Sequence, residues 1–404
     1  GQNQGNKVRW WSWPVGGGAE LQRLNLADIL TAAGGAFMKR VVPYDETLST
    51  EMAQQFALDL TNLAPGLPPA FYMGHPAMCE ALNQAALGLG VAVSRGVKSI
   101  KVQPGERPEI SYQLDGAVTT LRPRLIVGAD GRNSVVRKQI GVPEQKDPPH
   151  NLLGGILVEG ETDWVMDDIA VGTEGDVHYL IFPQGGQRLR LYLCFDFAER
   201  ARFTGLDKAR NWLDAFRLDC LTHAEQIAAC TPIGPVHSYS NEDHWTDQPT
   251  VPGVVLIGDA AGHVDPITGQ GLSIGLRDVR QVSEILAGED WRQAAFAPYV
   301  EARMERLRRL QVAARFAANA PAGAPMWKAI HRQPRPAWWA PMPCRPNVLN
   351  KAASTPCWRL RSEMIGRRAL ERRSARRHSS PSRVWCVPEI AGGRRRIRLG
   401  GRAG

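Results

Sequence analysis

Hydrophobic residues recur with helical spacing near the start of the chain and with strand-like spacing soon after it. The first pattern predicts an amphipathic helix over 17–33 and a second helix over 76–88, which begins at Pro76, a favoured first-turn position. The second pattern predicts a β-meander over 91–127, with strands at 91–93, 99–102 and 110–114. Asp115-Gly116 is the hairpin turn signal within this meander.

The middle of the chain has a different character, because strand patterns dominate 151–250. We expect strands at 152–158, 177–182 and 189–195 and a single helix at about 208–222. Two fully apolar runs, 125–127 and 254–257, flank this segment and are typical of strands buried on both faces in parallel α/β sheets. Helical patterns follow at 271–287 and up to about 318. The sequence therefore predicts an α/β unit interrupted by a β-rich layer.

The second apolar run leads directly into the string GDAAGHVDPITGQGLSIGLRD, from Gly258 to Asp278. Gly258 lets a ligand approach the backbone closely, and the Asp259 carboxylate can accept two hydrogen bonds from a polyol. Gly269, Gln270 and Gly271 then open a helix whose N-terminal amides favour partial negative charge. The alternative is an ordinary capped helix, but the combined string favours cofactor binding.

A second string, GADGRNSVVR, follows the first apolar run from Gly128 to Arg137. Ser134 is a good N-cap for a short helix that ends near Gly141. Asp130 is placed where it could meet a dinucleotide, and Arg137 could pair with a phosphate. An Asp-Gly turn followed by a capped helix explains this string equally well, so both interpretations stay open.

Together the two strings resemble those of the FAD-dependent aromatic-ring hydroxylases, the para-hydroxybenzoate hydroxylase-like flavoprotein monooxygenases. The resemblance covers about residues 8–318 and implies an α/β fold, in which an FAD/NAD(P)-binding Rossmann-like domain carries an inserted β-rich (α+β) substrate domain. It places the first part of the FAD-binding domain at 1–150, the substrate layer at 151–250 and the second part at 251–320. The family's first βαβ unit carries a G-x-G-x-x-G turn that this sequence lacks, so we expect the chain to begin after that unit.

The resemblance also implies roles for individual residues. Asp259 would hold the ribitol of FAD, Pro266 would lie beside the flavin ring, and the amides of Gly271, Leu272 and Ser273 would face its pyrimidine edge. Asp130 and its neighbours would serve the pyrophosphate and the passage of NAD(P)H. The complete set of expected cofactor-binding residues is Gly128, Asp130, Gly131, Arg137, Gly258, Asp259, Pro266, Gly269, Gln270, Gly271, Leu272 and Ser273.

Two further residues, His263 and Asp265, are expected beside the flavin edge. Either is a candidate acid–base group. The alternative, which we favour, is that both shape the loop, His263 by bonding to backbone and Asp265 by fixing the turn before Pro266. The seven cysteines include no C-x-x-C pair, which argues against a disulfide framework and a structural zinc site.

Charge is distributed unevenly along the chain. Residues 334–404 hold 16 Arg and one Lys against three Glu, a net charge of +14, so the other 333 residues carry −5 of the total of +9. Only this tail gives a reason to expect nucleic-acid binding. Because apolar periodicity ends near residue 320, we interpret 321–404 as a disordered tail or as a non-native continuation, of the kind produced when GC-rich DNA is read out of frame.

The function expected from the resemblance is hydroxylation of a small organic, possibly aromatic, substrate with FAD, NAD(P)H and O2. A flavin-dependent reductase or dehydrogenase of the same fold is an alternative, and an inactive fragment or a nucleic-acid binder acting through its tail is another. No apolar run reaches the length of a membrane span and no signal-peptide pattern precedes the fold, so we expect a soluble, cytoplasmic protein. The sequence leaves the oligomeric state and the substrate open.

Overall fold

A computed structural model describes residues 10–13, 15–61, 66, 68–266 and 269–318, all of which fall in the same structural unit. The tail interpreted above, 321–404, lies outside the described residues. The helices are, in chain order, α1 (Val15–Arg23), α2 (Ala27–Ala32), α3 (Thr50–Gln55), α4 (His75–Gly88), α5 (Val135–Gln139), α6 (Lys208–Asp214), α7 (Ala224–Ala229), α8 (Gly271–Leu286) and α9 (Ala297–Ala318). No described helix combines the length and apolar character that crossing a bilayer requires.

The strands, also in chain order, are β1 (Trp10–Trp13), β2 (Ala36–Phe37), β3 (Arg40–Asp45), β4 (Leu58–Asp59), β5 (Phe71–Gly74), β6 (Lys98–Gln103), β7 (Glu109–Leu114), β8 (Ala117–Leu121), β9 (Ile126–Gly128), β10 (Gln145–Lys146), β11 (Asn151–Glu159), β12 (Asp168–Glu174), β13 (Val177–Pro183), β14 (Arg188–Asp196), β15 (Thr231–Pro232), β16 (His237–Asn241), β17 (His244–Trp245), β18 (Thr250–Val251), β19 (Val254–Leu256) and β20 (Gly262–His263).

The α/β part is organised around two parallel strands that lie far apart in sequence. β9 pairs in parallel with β19, Ile126 opposite Val254, and β18 continues the sheet on the other side of β19. α8, α9 and the 3-10 turn before α9 cover β19 through Val282, Tyr299 and Phe296, respectively. The predicted parallel arrangement is therefore present, although Val127 is 42% exposed, so β9 is not buried on both faces.

The β-rich part is a mostly antiparallel sheet in the order β15-β11-β14-β13-β12-β3-β4, with β16 also paired to β11. β3 joins it in parallel beside β12, so segments before residue 60 contribute to this sheet. One face packs against α6 and α7 in the largest core cluster, which includes Trp212 and Phe216. Side chains alternate across a strand, so the other face carries the residues between these core positions.

Several sequence predictions agree with these elements. The helix predicted at 76–88 is α4, and the strands predicted at 99–102 and 110–114 lie in β6 and β7. The hairpin between β7 and β8 turns at Asp115 and Gly116, both with positive φ. The long helix predicted at 271–287 is α8.

Three local predictions are wrong, and in the last two a backbone amide has another partner. The helix expected over 17–33 breaks into α1 and α2 at Asn25, which has a φ of 58°. Residues 91–93 form no strand, since the Val91 amide closes the end of α4 on the Ala86 carbonyl at 3.1 Å. The helix expected over 208–222 ends at Asp214, and the Cys220 amide binds the Glu174 carboxylate at 2.8 Å.

The close approach of β3 to β12 gives a test of this packing. A β-carbon on Gly172 would overlap the Tyr44 carbonyl oxygen and crowd the Tyr179 hydroxyl. We expect Gly172→Ala to lower the free energy of unfolding by about 2–3 kcal/mol, because the strands must separate to admit the methyl group. Urea unfolding measures this, with Gly234→Ala as the control, since its β-carbon would meet no atom. Equal losses in the two variants would contradict the packing.

Candidate functional site

The GDAAG string forms one compact loop between β19 and α8. It passes through a 3-10 turn at Gly258–Ala260, where Gly258 has a φ of 58°, a conformation that favours glycine. A β-carbon at Gly258 or at Gly271 would meet no atom within 4 Å. The backbone at both ends of this loop is therefore open to a ligand.

A buried ion pair between α8 and α9 holds the loop in place. Arg303 of α9 pairs with Asp278 of α8, and their side chains are 1% and 3% exposed. Arg303 also donates to the Gly258 carbonyl at 2.9 Å and the Gly262 carbonyl at 2.8 Å, while the Gly258 amide donates to Asp278 at 2.8 Å. Burial raises the pKa of the Asp278 carboxyl to about 6, and the Arg303 charge opposes that shift.

A second buried arginine holds the same loop from the side of the GADGR string. Arg137 is 2% exposed and donates to the Ala260 carbonyl at 2.7 Å, the Arg132 carbonyl at 2.7 Å and the Glu144 carboxylate at 2.7 Å. It is also 3.3 Å from the Asp259 carbonyl. Its donors point to protein groups, so its predicted pairing with a phosphate stays a prediction.

Asp130 caps α5 in this structure. Its carboxylate accepts hydrogen bonds from the Ser134 hydroxyl at 2.5 Å and the Val135 amide at 2.6 Å. The predicted cap at Ser134 is present, since its hydroxyl oxygen accepts from the Arg137 amide at 2.9 Å. Gly128 lies where a β-carbon would meet the Leu256 side chain at 2.6 Å, so it allows the two parallel strands to pack closely. Gly131, at a φ of 80°, lies in the turn between β9 and α5.

The groups that remain open lie on the other side of the loop. The Asp259 carboxylate is 36% exposed, and the only cation paired with it among the described residues is Arg132, at 3.7 Å. α8 begins at Gly271 without a side-chain cap on its first amides. Ser273, in its first turn, is 1% exposed, yet its hydroxyl has no hydrogen-bond partner in the described part of the chain. A buried hydroxyl without a hydrogen-bond partner is uncommon, and a polar ligand bound at the helix N-terminus would supply one.

The remaining predicted residues lie around this opening. Pro266 is half-buried and ends the first part of the loop, and residues 267–268 lie outside the described ranges. Gly269 is exposed with a φ of 63°, and Gln270 accepts a hydrogen bond from Arg306 at 3.3 Å. The Leu272 side chain packs into the core under α4, so only its backbone is available to a ligand.

His263 and Asp265 are buried in the same loop, at 6% and 8% exposure. His263 packs edge-on against His244, with ring centroids 5.2 Å apart, and neither ring nitrogen has a hydrogen-bond partner among the described residues. Burial, aided by Arg132 and His244, lowers the pKa of His263 to about 3, so its ring is neutral near pH 7. The Asp265 amide donates to the Asp243 carboxylate at 2.9 Å. The bond from His263 to backbone that we favoured is not among the described contacts.

Sequence reasoning did not identify Arg303, Glu144 or His244. One signal for Arg303 was available, since it lies on the same helical stripe as Tyr299 and Leu307, which are both 1% exposed. A charged residue on an apolar stripe indicates a buried partner. Glu144 lies 2.5 Å from His244 and also contacts Arg137, and no local pattern connects these three positions.

A strand, a glycine turn, an open carboxylate and an uncapped helix N-terminus lie together at one opening. The chain belongs to the FAD-binding domain family, whose model matches residues 46–320. The family confirms FAD as the predicted cofactor, and the open carboxylate and orphaned Ser273 hydroxyl fit that group.

Individual proteins show the same relationship. The chain is 26% identical over 195 residues to 3-demethoxyubiquinol 3-hydroxylase of Escherichia coli, which covers 47% of each chain. It is 28% identical over 250 residues to ubiquinone hydroxylase UbiL of Rhodospirillum rubrum, covering 59% of this chain and 55% of that protein. This chain thus spans about half the length of the curated relatives it matches.

Among solved structures, Pseudomonas aeruginosa PqsL in complex with 2-aminobenzoylacetate has a TM-score of 0.65 to this chain. It is 20% identical and covers 82% of this chain and 90% of its own. The predicted α/β fold with a β-rich layer is confirmed by this likeness and by the family match.

The Arg303–Asp278 pair gives the first test of the site. We expect Arg303→Met to lower the free energy of unfolding by about 3–5 kcal/mol, because it leaves Asp278 buried without its partner. Arg309→Met is the matched control, since Arg309 is an exposed residue of the same helix and pairs with Glu305. Its loss should stay below about 1 kcal/mol. Urea unfolding of both variants measures the difference. Similar small losses in the two variants would contradict a stabilising role for the Arg303–Asp278 pair.

The neutral state of His263 gives a second test, by pH. An unfolded histidine takes up a proton below about pH 6.5, whereas folded His263 does so only near pH 3, so stability falls as pH drops through this window. Between pH 7 and pH 5 this group removes about 2 kcal/mol of unfolding free energy. We expect His263→Phe to reduce the measured loss by that amount and the exposed control His150→Phe to leave it unchanged. If His263→Phe loses as much unfolding free energy between pH 7 and pH 5 as the unsubstituted protein, the His263 ring is already protonated in the folded protein at pH 5.

Proposed function

We propose that this protein is an FAD-dependent monooxygenase that uses NAD(P)H and O2 to hydroxylate a small organic substrate in the cytoplasm, where NAD(P)H is supplied. The observation that carries the proposal is the GDAAG loop, whose carbonyls are bound by two buried arginines while Asp259 and the start of α8 stay open. Bound FAD supplies the redox chemistry, and the protein positions and shields the reacting groups.

In this proposal Asp259 holds the ribitol hydroxyls, because its carboxylate is exposed and accepts hydrogen bonds. The first amides of α8, at Gly271, Leu272 and Ser273, face the pyrimidine edge of the flavin. Reduction places negative charge there, which a helix N-terminus stabilises. The orphaned Ser273 hydroxyl supports this position, since it needs a partner that the described residues do not provide.

The GADGR string has a supporting part in the same proposal. Asp130 shapes α5, and Arg137 fixes the loop that carries Asp259, so both act on the cofactor through the backbone. Gly131 leaves the turn after β9 without a side chain on the pyrophosphate side, while Gly128 allows β9 and β19 to pack closely. His263 is buried and neutral near pH 7, which favours a loop-shaping part over acid catalysis.

The substrate layer in this proposal is the sheet face opposite α6 and α7. Leu180, Phe182 and Tyr192 alternate with core residues and are half-buried on that face. Phe182 packs toward Tyr72 of β5, which connects this face to the α/β part. The proposal assigns the cofactor to segments 1–150 and 251–320 and the substrate to the layer at 151–250. β3 and β4 also belong to the sheet of this layer.

The test begins with the absorption spectrum of the purified chain loaded with FAD. We expect oxygen uptake that requires both NAD(P)H and an organic substrate. Asp259→Asn should weaken FAD binding about 10- to 100-fold, because the hydrogen bonds to a charged acceptor are lost. Asp290→Asn is the control, an exposed carboxylate paired with Arg292 and remote in sequence from the loop. Substrate turnover that continues without oxygen would instead indicate a flavin-dependent reductase.

A further inference from the structure

A cavity of about 240 Å³ lies beside α3, at the end of the large sheet formed by β3 and β12. We call it the α3 cavity; its lining includes Tyr44, Gln54 and Asp168 and no residue of the GDAAG loop. An apolar cavity of about 150 Å³ already holds benzene, so this one can admit a somewhat larger organic molecule. The exposed residues Glu51 and Val165 are also part of the lining, so the cavity reaches the surface.

The alternation of β12 shows which side of the sheet this cavity occupies. Ala170 packs in the helix-covered core, whereas Ile169 packs in the cluster that includes Phe182 on the other face. Side chains alternate along a strand, so Asp168 shares the face of Ala170. Tyr44 of β3 belongs to the same core. The α3 cavity is therefore separate from the face on which the substrate layer was proposed.

Asp168 supplies a buried carboxylate to this cavity. It is 3% exposed, and neither carboxylate oxygen has a hydrogen-bond partner among the described residues. The Arg40 guanidinium lies 3.6 Å away and donates instead to Gln54 at 2.7 Å, while the Gln54 amide donates to the Tyr44 hydroxyl at 2.7 Å. Burial raises the pKa of the Asp168 carboxyl, and Arg40 opposes that shift. A carboxylate accepts several hydrogen bonds, so this one has room for donors from a ligand.

The lining of the cavity favours a positively charged ligand. Its charged residues are Asp168 and Glu51, with His223 as a further titratable group, and no lysine or arginine is among the described residues that line it. Tyr44 and Trp164 add a tilted aromatic pair with ring centroids 6.1 Å apart, and the faces of such rings attract cations. The described residues contain no group of three or more His, Cys, Asp or Glu side chains suited to a metal, so an organic cation fits better than a metal ion.

We propose that the α3 cavity binds a small organic ammonium ion, whose N–H groups donate to the Asp168 carboxylate while its carbon body packs against Tyr44 and Trp164. An ammonium group offers up to three donors, and hydrogen bonds between charged groups are stronger than neutral ones. The ligand supplies the hydrogen bonds that Asp168 lacks and a second positive charge beside that of Arg40. The site lies apart from the flavin opening, so the inference does not rest on the proposed function.

The experiment is calorimetric titration of the full chain, with benzylammonium and butylammonium as probes and benzyl alcohol and 1-butanol as their uncharged matches. We expect at least one ammonium ion to bind about 10- to 100-fold more tightly than its alcohol, both with and without FAD. Asp168→Asn keeps the size of the side chain and removes its charge. This variant should lose the preference for the ammonium ion, while the affinity for the alcohol changes little.

The neighbouring carboxylate provides the matched control. Asp167 is 57% exposed and pairs with Lys39 at 2.7 Å, so Asp167→Asn should retain the preference. Loss of the preference in both variants would contradict a specific part for Asp168. Ammonium binding that FAD abolishes would also overturn the proposal, because it would place the ligand at the open Asp259 carboxylate.

A second variant tests the location without changing a charge. Thr222 lines the cavity and is half-buried, so the longer side chain of Thr222→Met should occupy part of the space and weaken ammonium binding about 10-fold or more. This result decides the question if Asp168→Asn does not fold, and thermal unfolding shows whether each variant is folded. Absence of binding by both ammonium ions, equal affinity for ammonium ion and alcohol, an unchanged preference in Asp168→Asn or an unchanged affinity in Thr222→Met would overturn the proposal.

Discussion

The site depends on the buried ion pair between Arg303 and Asp278. Neither charge is stable alone at this depth, and together they bind the amide of Gly258 and the carbonyls of Gly258 and Gly262. Arg137 adds the Ala260 carbonyl from the opposite side. The backbone of the loop is thus held by protein groups before any cofactor binds, and a preorganised loop binds its ligand with less loss of conformational entropy.

This arrangement also determines the electrostatics of the opening. Because the loop carbonyls turn inward to the arginines, the outer side presents Asp259 and the amide end of α8. The positive charges of Arg132 and Arg137 contribute to the lowered pKa of His263, and Arg277 and Arg306 oppose the raised pKa of Asp278. The loop therefore lies in a field of positive charge, which suits a cofactor with a pyrophosphate and with a ring that becomes anionic on reduction.

Local patterns predicted the elements whose stability is local. The Ser134 cap, the Asp115-Gly116 hairpin and the helix from Gly271 each depend on neighbouring residues, and each lies where expected. The errors arise where distant groups compete for the backbone, as when Glu174 takes the Cys220 amide. Arg137 shows the same limit in the site: its spacing is compatible with a phosphate partner, whereas two of its carbonyl partners, Asp259 and Ala260, lie more than a hundred positions away.

The two faces of the large sheet are packed differently. On one face Trp212, Phe195 and Phe203 pack into the main core, where burial of apolar surface stabilises the sheet. A strand anchored so firmly on one side can tolerate an unfavourable residue on the other. Arg190 lies between Leu189 and Leu191, which are 1% and 0% exposed, so its uncompensated charge is held in place by neighbours that gain by burial. The alternation of β14 therefore allows a buried charge to persist within a stable sheet.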